Sequence, residues 1–200
     1  MTAYPVRTSV VTPPGPRNRL TVAFRPLLAL PHTLLAGPIV WFYRSGSLGL
    51  LGAAAYFLAV VNWCSVLVTG TLIPGIRDFD LYYLRWRLRA VAYTALLVDQ
   101  YPPFGDAPYP ASIEIVEPAV RDRTSIALRL LFVLPHLVVL CFVLIAWFVT
   151  SVIAWVAILV TGAYPRALLP FGLGALQWLL RVEAYLLLLV DEYPPFTLEG

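Results

Sequence analysis

The hydrophobic pattern is broken into long charge-free runs by short clusters of arginine and proline. Leu48 to Gly70 holds 23 residues without a charge. As a helix that is about 35 Å, enough for a hydrocarbon core of about 30 Å. Leu130 to Gly162 holds 33, about 50 Å as one helix and too long for a simple crossing, so it is expected to bend, tilt or begin along the interface. Two further helical stretches, Phe79 to Val98 and Phe171 to Val190, are mixed. The first carries Arg85, Arg87 and Arg89 in mid-segment, each costing about 2.5 to 3.5 kcal/mol at a membrane helix centre. It is therefore expected to lie in the interface as an amphipathic helix. The second carries only Arg181 and Glu183 and is expected to follow its partner.

The pattern repeats. "RAVAYTALLVDQYPPF" from Arg89 and "RVEAYLLLLVDEYPPF" from Arg181 share 11 of 16 residues at an offset of 92. Upstream, Arg17 to His32 matches Arg121 to His136 at an offset of 104, so the first copy carries 12 extra residues, expected at about Thr33 to Arg44. The copies run from Tyr4 to Phe104 and from Tyr109 to Phe196, residues 4–104 and 109–196 as membrane repeats. Each opens with a Tyr-Pro segment suited to an edge strand or extended arm. Each closes at Asp-x-Tyr-Pro-Pro-Phe, where two prolines end the helix.

These elements predict an all-α integral membrane protein of two tandem repeats, each a membrane helical hairpin plus an interfacial amphipathic helix and a short extended N-terminal arm. Composition agrees: 60% of residues are hydrophobic and 12% charged, with mean hydropathy +0.80, more apolar surface than a soluble core of 200 residues hides. No signal-peptide pattern precedes the first apolar run, so the first 19 residues are expected to stay on the mature protein.

All 14 basic residues are arginine. With both ends of each hairpin on one side, only Arg44 falls opposite, which predicts a multi-pass inner-membrane protein with both termini cytoplasmic. The repeats would then be parallel, about an axis along the membrane normal. An odd number of crossings would instead invert them and carry Arg121, Arg123 and Arg129 outside.

The Tyr-Pro arm, "RLLFVLPHLVVL", "WVAILVTGAYPRALLPF" and "LQWLLRVEAYLLLLVDEYPPF", in that order, resemble the family catalogued as domain of unknown function 4389. The resemblance implies a membrane protein, mostly actinobacterial in type, that commonly carries its unit in tandem. It implies no catalytic residue. The second copy is the closer match.

Candidate chemistry sits at duplicated positions. His32 and His136 are the only histidines: either a cofactor pair meeting across the two copies to ligate haem or a metal, or structural residues satisfying carbonyls freed by the preceding proline. Arg17, Arg19 and Arg25, their counterparts Arg121, Arg123 and Arg129, and the run Arg85, Arg87, Arg89 are candidate contacts to anionic membrane lipids or other anions. The repeat-end motifs are Asp99, Tyr101, Pro102, Pro103, Phe104 and Asp191, Tyr193, Pro194, Pro195, Phe196. Each aspartate opposes its helix dipole, so an arginine partner from the arm, Arg17 or Arg121, is expected. Asn62, alone in its apolar run, is expected to bond another helix.

Cys64 and Cys141 lack metal-type spacing. No nucleophile triad, phosphate loop or histidine–glutamate motif occurs, and a net charge of +3 without a basic stripe argues against nucleic acid. The expectation is a non-enzymatic protein with no catalytic residue, metal or cofactor, a lipid-contacting scaffold or accessory subunit whose partners are anionic lipids, a membrane protein or further copies of itself. A small oligomeric transporter or channel, and a haem-binding or redox subunit using the histidines, are the rivals.

Overall fold

A computed structural model describes residues 4–38, 48–105, 107–117 and 121–199. Strand β1 (Val6–Val10) is followed by three short helices, α1 (Arg19–Ala23), α2 (Arg25–Leu28) and α3 (Leu30–Ala36), and by α4 (Leu50–Thr69) and α5 (Pro74–Thr94). The second repeat supplies β2 (Ala111–Ile115), α6 (Arg123–Thr161) and α7 (Leu169–Leu186). Two helices, α4 and α6, are long and apolar enough to cross a membrane.

Equivalent residues start and stop these helices. Asn18 Oδ1 accepts from the backbone N–H groups of Leu20 and Thr21, and Asp122 accepts from Thr124, capping α1 and α6. Gly70 and Gly162, at φ +84° and +79°, close α4 and α6. Leu96 and Leu188, at φ +64° and +57°, turn the chain out of α5 and α7 toward the two aspartates. Leucine in that conformation costs about 1–2 kcal/mol; both side chains are only 2% exposed, and their burial offsets it.

The expected hairpin is absent from the second repeat. Its Leu-Pro-His stretch and its Val-Thr-Gly stretch form one unbroken 39-residue helix, with Pro135 inside. One stripe, Ile126, Arg129, Val133, His136, Leu140, Leu144, Trp147, Ala154 and Ile158, is buried along its whole length, so a single face packs and no turn is required. The first repeat interrupts the same rod. Its α3 ends at Ala36, equivalent to Leu140, and α4 begins at Leu50, equivalent to Phe142. The extra residues therefore fall in 37–49 and not from Thr33, which lies inside α3. Gly37 and Gly49 meet: a Cβ on Gly49 would stand 2.4 Å from the Gly37 nitrogen. Residues 39–47, Arg44 among them, lie outside the described residues.

The two rods run in opposite directions. Gly70, ending α4, adjoins Arg123 at the start of α6, and Gly162, ending α6, adjoins Arg19 at the start of α1. The Arg17 N–H donates to the Gly162 carbonyl at 2.8 Å. The indoles of Trp63 and Trp155 donate to the Ile126 and Val22 carbonyls, each 2.8 Å, fastening rod to rod at both ends.

Above the rods lie α5 and α7, and above these a two-stranded antiparallel sheet registered about Thr8 opposite Ile113. Opposite faces of α7 separate the layers: Gln177 and Arg181 face β1, while Leu179, Val182 and Leu186 face α6. Neither α5 nor α7 is a one-sided interfacial helix as expected; Leu84, Leu88, Leu176 and Leu180 are at most 1% exposed. They form the middle of the molecule.

The arms are exchanged. Strand β1 of the first repeat packs on α7 of the second, and β2 of the second on α5 of the first. Tyr4 donates to the Glu192 carbonyl at 3.2 Å and Tyr109 to the Gln100 carbonyl at 2.8 Å, equivalent bonds in opposite directions. Val6, Ala111 and Ile113 point inward; Arg7, Ser9, Ser112 and Glu114 point out.

Candidate functional site

One arrangement occurs twice, at the two ends of the rods. In the first repeat, α1 and α2 are set so that Arg17 and Arg25 converge on Asp99, at 2.8 and 3.1 Å. Arg25 also donates to the Tyr93 carbonyl in the last turn of α5, at 3.1 Å, and to the Val98 carbonyl just before Asp99, at 2.7 Å. Its guanidinium lies 4.1 Å from the Tyr93 ring centroid. In the second repeat Arg121 and Arg129 hold Asp191 at 2.9 and 2.8 Å. Arg121 donates to the Leu188 carbonyl at 3.0 Å, Arg129 donates to the Tyr185 carbonyl, and the Arg129 guanidinium lies 4.3 Å from the Tyr185 ring. Each aspartate thus faces two arginines: one partner from the predicted arm, and one seven residues before the histidine.

The aromatic residues of the repeat-end motif continue outward from this clamp. Tyr101 meets Tyr93 edge-on at 5.5 Å and His32 at 5.0 Å, and Phe104 stacks on His32 at 4.6 Å. The counterparts are Tyr193 on Tyr185 at 6.0 Å and on His136 at 4.7 Å, with Phe196 stacked on His136 at 3.8 Å. The two prolines between tyrosine and phenylalanine fix the backbone that brings both rings to one imidazole.

The histidines do not form a pair. Each is fully buried in the aromatic nest of its own repeat, and its polar partner is a tryptophan, not a carbonyl freed by proline. Trp86 Nε1 donates to His32 Nδ1 at 3.0 Å, and Trp178 Nε1 to His136 Nδ1 at 3.2 Å. An indole only donates, so Nδ1 is the acceptor and the ring proton sits on Nε2. Nε2 makes no hydrogen bond of normal geometry in either ring, although the Pro102 and Pro194 carbonyls act on the two imidazoles. Burial holds the His32 pKa below the ordinary imidazole value, against a smaller opposing effect of the Pro102 carbonyl; the ring is neutral. Among the described residues no group of three or more His, Cys, Asp or Glu could hold a metal ion.

The candidate anion-binding arginines divide. Arg19, Arg85 and Arg123 are exposed and Arg89 is half-buried; Arg89 donates to the Gly105 carbonyl. Arg17, Arg25, Arg121 and Arg129 are occupied by the chain's own aspartates and are not open anion donors. Arg87 is not an interfacial anchor: it is 2% exposed, its Nε donates to Glu183 at 3.0 Å, and its Nη1 donates to the Ala36, Gly37 and Pro38 carbonyls at 3.0, 2.7 and 2.9 Å. Those carbonyls are free because the rod breaks there. The equivalent position in the unbroken repeat is Leu179. Asn62 is buried and caps locally, its Oδ1 accepting from the Ile73 N–H at 2.9 Å before α5.

Sequence reasoning missed Tyr93 and Tyr185 as arginine platforms, although both stand in the duplicated "AY" pair. It also missed Asp80 of α5, fully buried with neither oxygen bonded. Burial raises its pKa to about 8. Its equivalent is Gly172, so duplication gave no signal.

Charged clamps on neutral histidine nests, held between long apolar rods, define a helical protein built on a repeat-like unit. The family model described as Domain of unknown function (DUF4389) matches residues 45–105 and 123–197, and the chain belongs to that family. No curated protein and no solved structure matches it.

Proposed function

We propose that this chain is a non-enzymatic, lipid-contacting scaffold or accessory subunit, seated with its rod layer in one membrane leaflet and its sheet in water. The observation that carries the reading is the division of its surface. Phe57, Val60, Val68, Leu130, Val138, Phe142, Phe148 and Val160 of α4 and α6 are 53–79% exposed, far more apolar area on one layer than soluble monomers show. The inner polar groups of the two clamps meanwhile bind one another, which suits an anchoring body better than a conduit or an active site.

The multi-pass arrangement fits this geometry poorly. Were α6 to cross the bilayer, the antiparallel rods would put the relating axis in the membrane plane and carry the sheet to mid-depth, exposing Arg7 and Glu114 to hydrocarbon at a cost of several kcal/mol. With the axis along the normal, both ends of α6, about 58 Å apart, share one depth, and the sheet and both termini face water. We take that water to be the cytoplasm, whose anionic leaflet attracts the exposed Arg19 and Arg123 at the rod ends.

One-sided labelling tests the placement. In a background with Cys64 and Cys141 replaced by serine, the equivalent exposed positions Leu20→Cys and Thr124→Cys are reconstituted in liposomes with an impermeant maleimide outside. Both should react to the same extent in every preparation. Labelling of the two from opposite sides, or a protein that stays monodisperse without detergent or lipid, would overturn the reading. Native mass spectrometry of the same material should show retained anionic lipid.

A further inference from the structure

Arg17, Arg25, Arg87, Arg129 and Arg181 are all at least 95% buried. The first four hold a carboxylate at 3.1 Å or less. Arg181 holds none among the described residues. Its Nη1 donates to the Glu199 carbonyl at 3.0 Å, its Nε has no acceptor, and its flank rests on the Tyr4 ring at 5.6 Å. A guanidinium taken out of water without a counter-charge is unfavourable unless an anion completes it.

Arg181 lines a cleft of about 620 Å³ between β1, α7 and the C-terminal segment, together with Arg7, Thr8, Gln177, Thr197 and Glu199. The cleft exists because the arms are exchanged: β1 of one repeat roofs α7 of the other. An equivalent, smaller cleft of about 370 Å³ lies beside Arg85 and Arg89. The two differ in chemistry, since Gln177 replaces Arg85 and Arg7 stands where the second arm has Ser112.

We infer that the Arg181 cleft binds a phosphate-type oxyanion, free in solution or carried on a lipid headgroup. Arg181 lines the floor of the cleft with no carboxylate of its own, and a planar guanidinium takes two oxygens of one anion. Thr8, on the inward face of the strand, and Thr197 add hydroxyls, and the Gln177 amide adds a neutral donor. The volume exceeds what a carboxylate needs and suits a phosphate with its substituent. Glu114 faces Arg7 across the sheet and Glu199 lines the rim, so Glu199 is the competitor to be tested. The inference stands independently of the membrane placement.

The full chain in neutral detergent would be titrated with inorganic phosphate by calorimetry, with chloride at matched ionic strength as reference. A parallel arm uses phosphatidylcholine nanodiscs with and without phosphatidic acid, read by native mass spectrometry. Saturable one-to-one binding is expected, weakened at least tenfold in Arg181→Gln and unchanged in Arg85→Gln of the smaller cleft. Binding in the soluble arm identifies free phosphate as sufficient; retention only of phosphatidic acid identifies the headgroup; either supports the site. Should Arg181→Gln fail to fold, Gln177→Leu and Thr8→Val must each weaken binding several-fold. No saturable binding in either arm, or undiminished binding in the folded variants, overturns the inference. So does phosphate binding that emerges only after Glu199→Ala, because the chain's own carboxylate would then be the anion.

Discussion

Asp99 and Asp191 have the same partners in kind but not the same access to water: their side chains are 29% and 12% exposed. Removing a carboxylate that neutralises a buried arginine costs about 3–5 kcal/mol when the site is dry and less as water enters. Asp191→Asn should therefore lower the denaturation midpoint in detergent more than Asp99→Asn, and equal effects would show that water reaches both clamps alike. Asp80 behaves oppositely. Its carboxyl is displaced upward to about 8 from 3.8, so the folded state holds its proton more tightly than the unfolded state does. The stability this gives is fully present below pH 4 and drains away as pH rises toward 8, at about 1.4 kcal/mol per pH unit as an upper bound. Asp80→Asn should raise the thermal midpoint at pH 7 and flatten its decline between pH 5 and 8; an unchanged pH profile would mean that another group sets it. The aspartate clamps were half legible in the sequence, because a duplicated acid opposing a helix dipole calls for a cation. Asp80 was invisible, since burial without a partner leaves no pattern.

At the scale of elements, the informative comparison is between the broken rod and the unbroken one. Thirteen residues, 37–49, stand where the second repeat has Cys141 alone, and Arg87 with Glu183 stands where the other copy has Leu179 and Val91. Break, arginine and acid form one set: the break frees three carbonyls, Arg87 satisfies them, and Glu183 neutralises Arg87. Replacing residues 37–49 with one alanine should be poorly tolerated alone, because Arg87 loses its acceptors. Adding Arg87→Leu and Glu183→Val should restore stability, a coupling that a double-mutant cycle in chemical denaturation measures. Additive effects would break the link. The apolar runs revealed that these rods exist but not where they turn, since a hydrophobic stretch reads alike in a hairpin and in one long helix. Arg87 of α5 suggested an interface for the same reason: its carbonyl and carboxylate partners lie 50 and 96 positions away.

For the whole molecule, the arm exchange decides how stability is distributed. Deleting residues 1–11 removes β1, whose contacts are with β2 and α7, so hydrogen exchange should accelerate in α7 before it does in α5. Loss of protection confined to the first repeat would contradict the exchange. The likeness of the two halves was legible in the sequence, as nearly the same words said twice. That each copy's arm serves the other was not, because equivalent contacts within a copy or between copies demand the same residues.

The exchange also bears on how the chain can be divided. A half cut out after Phe104 would carry an arm with nothing of its own to rest on, so it should be stable only when paired with the other half. One covalent chain makes that pairing unimolecular and fixes the partners at one to one. The halves need not be identical: one carries an interrupted rod and Asp80, the other an unbroken rod and Gly172.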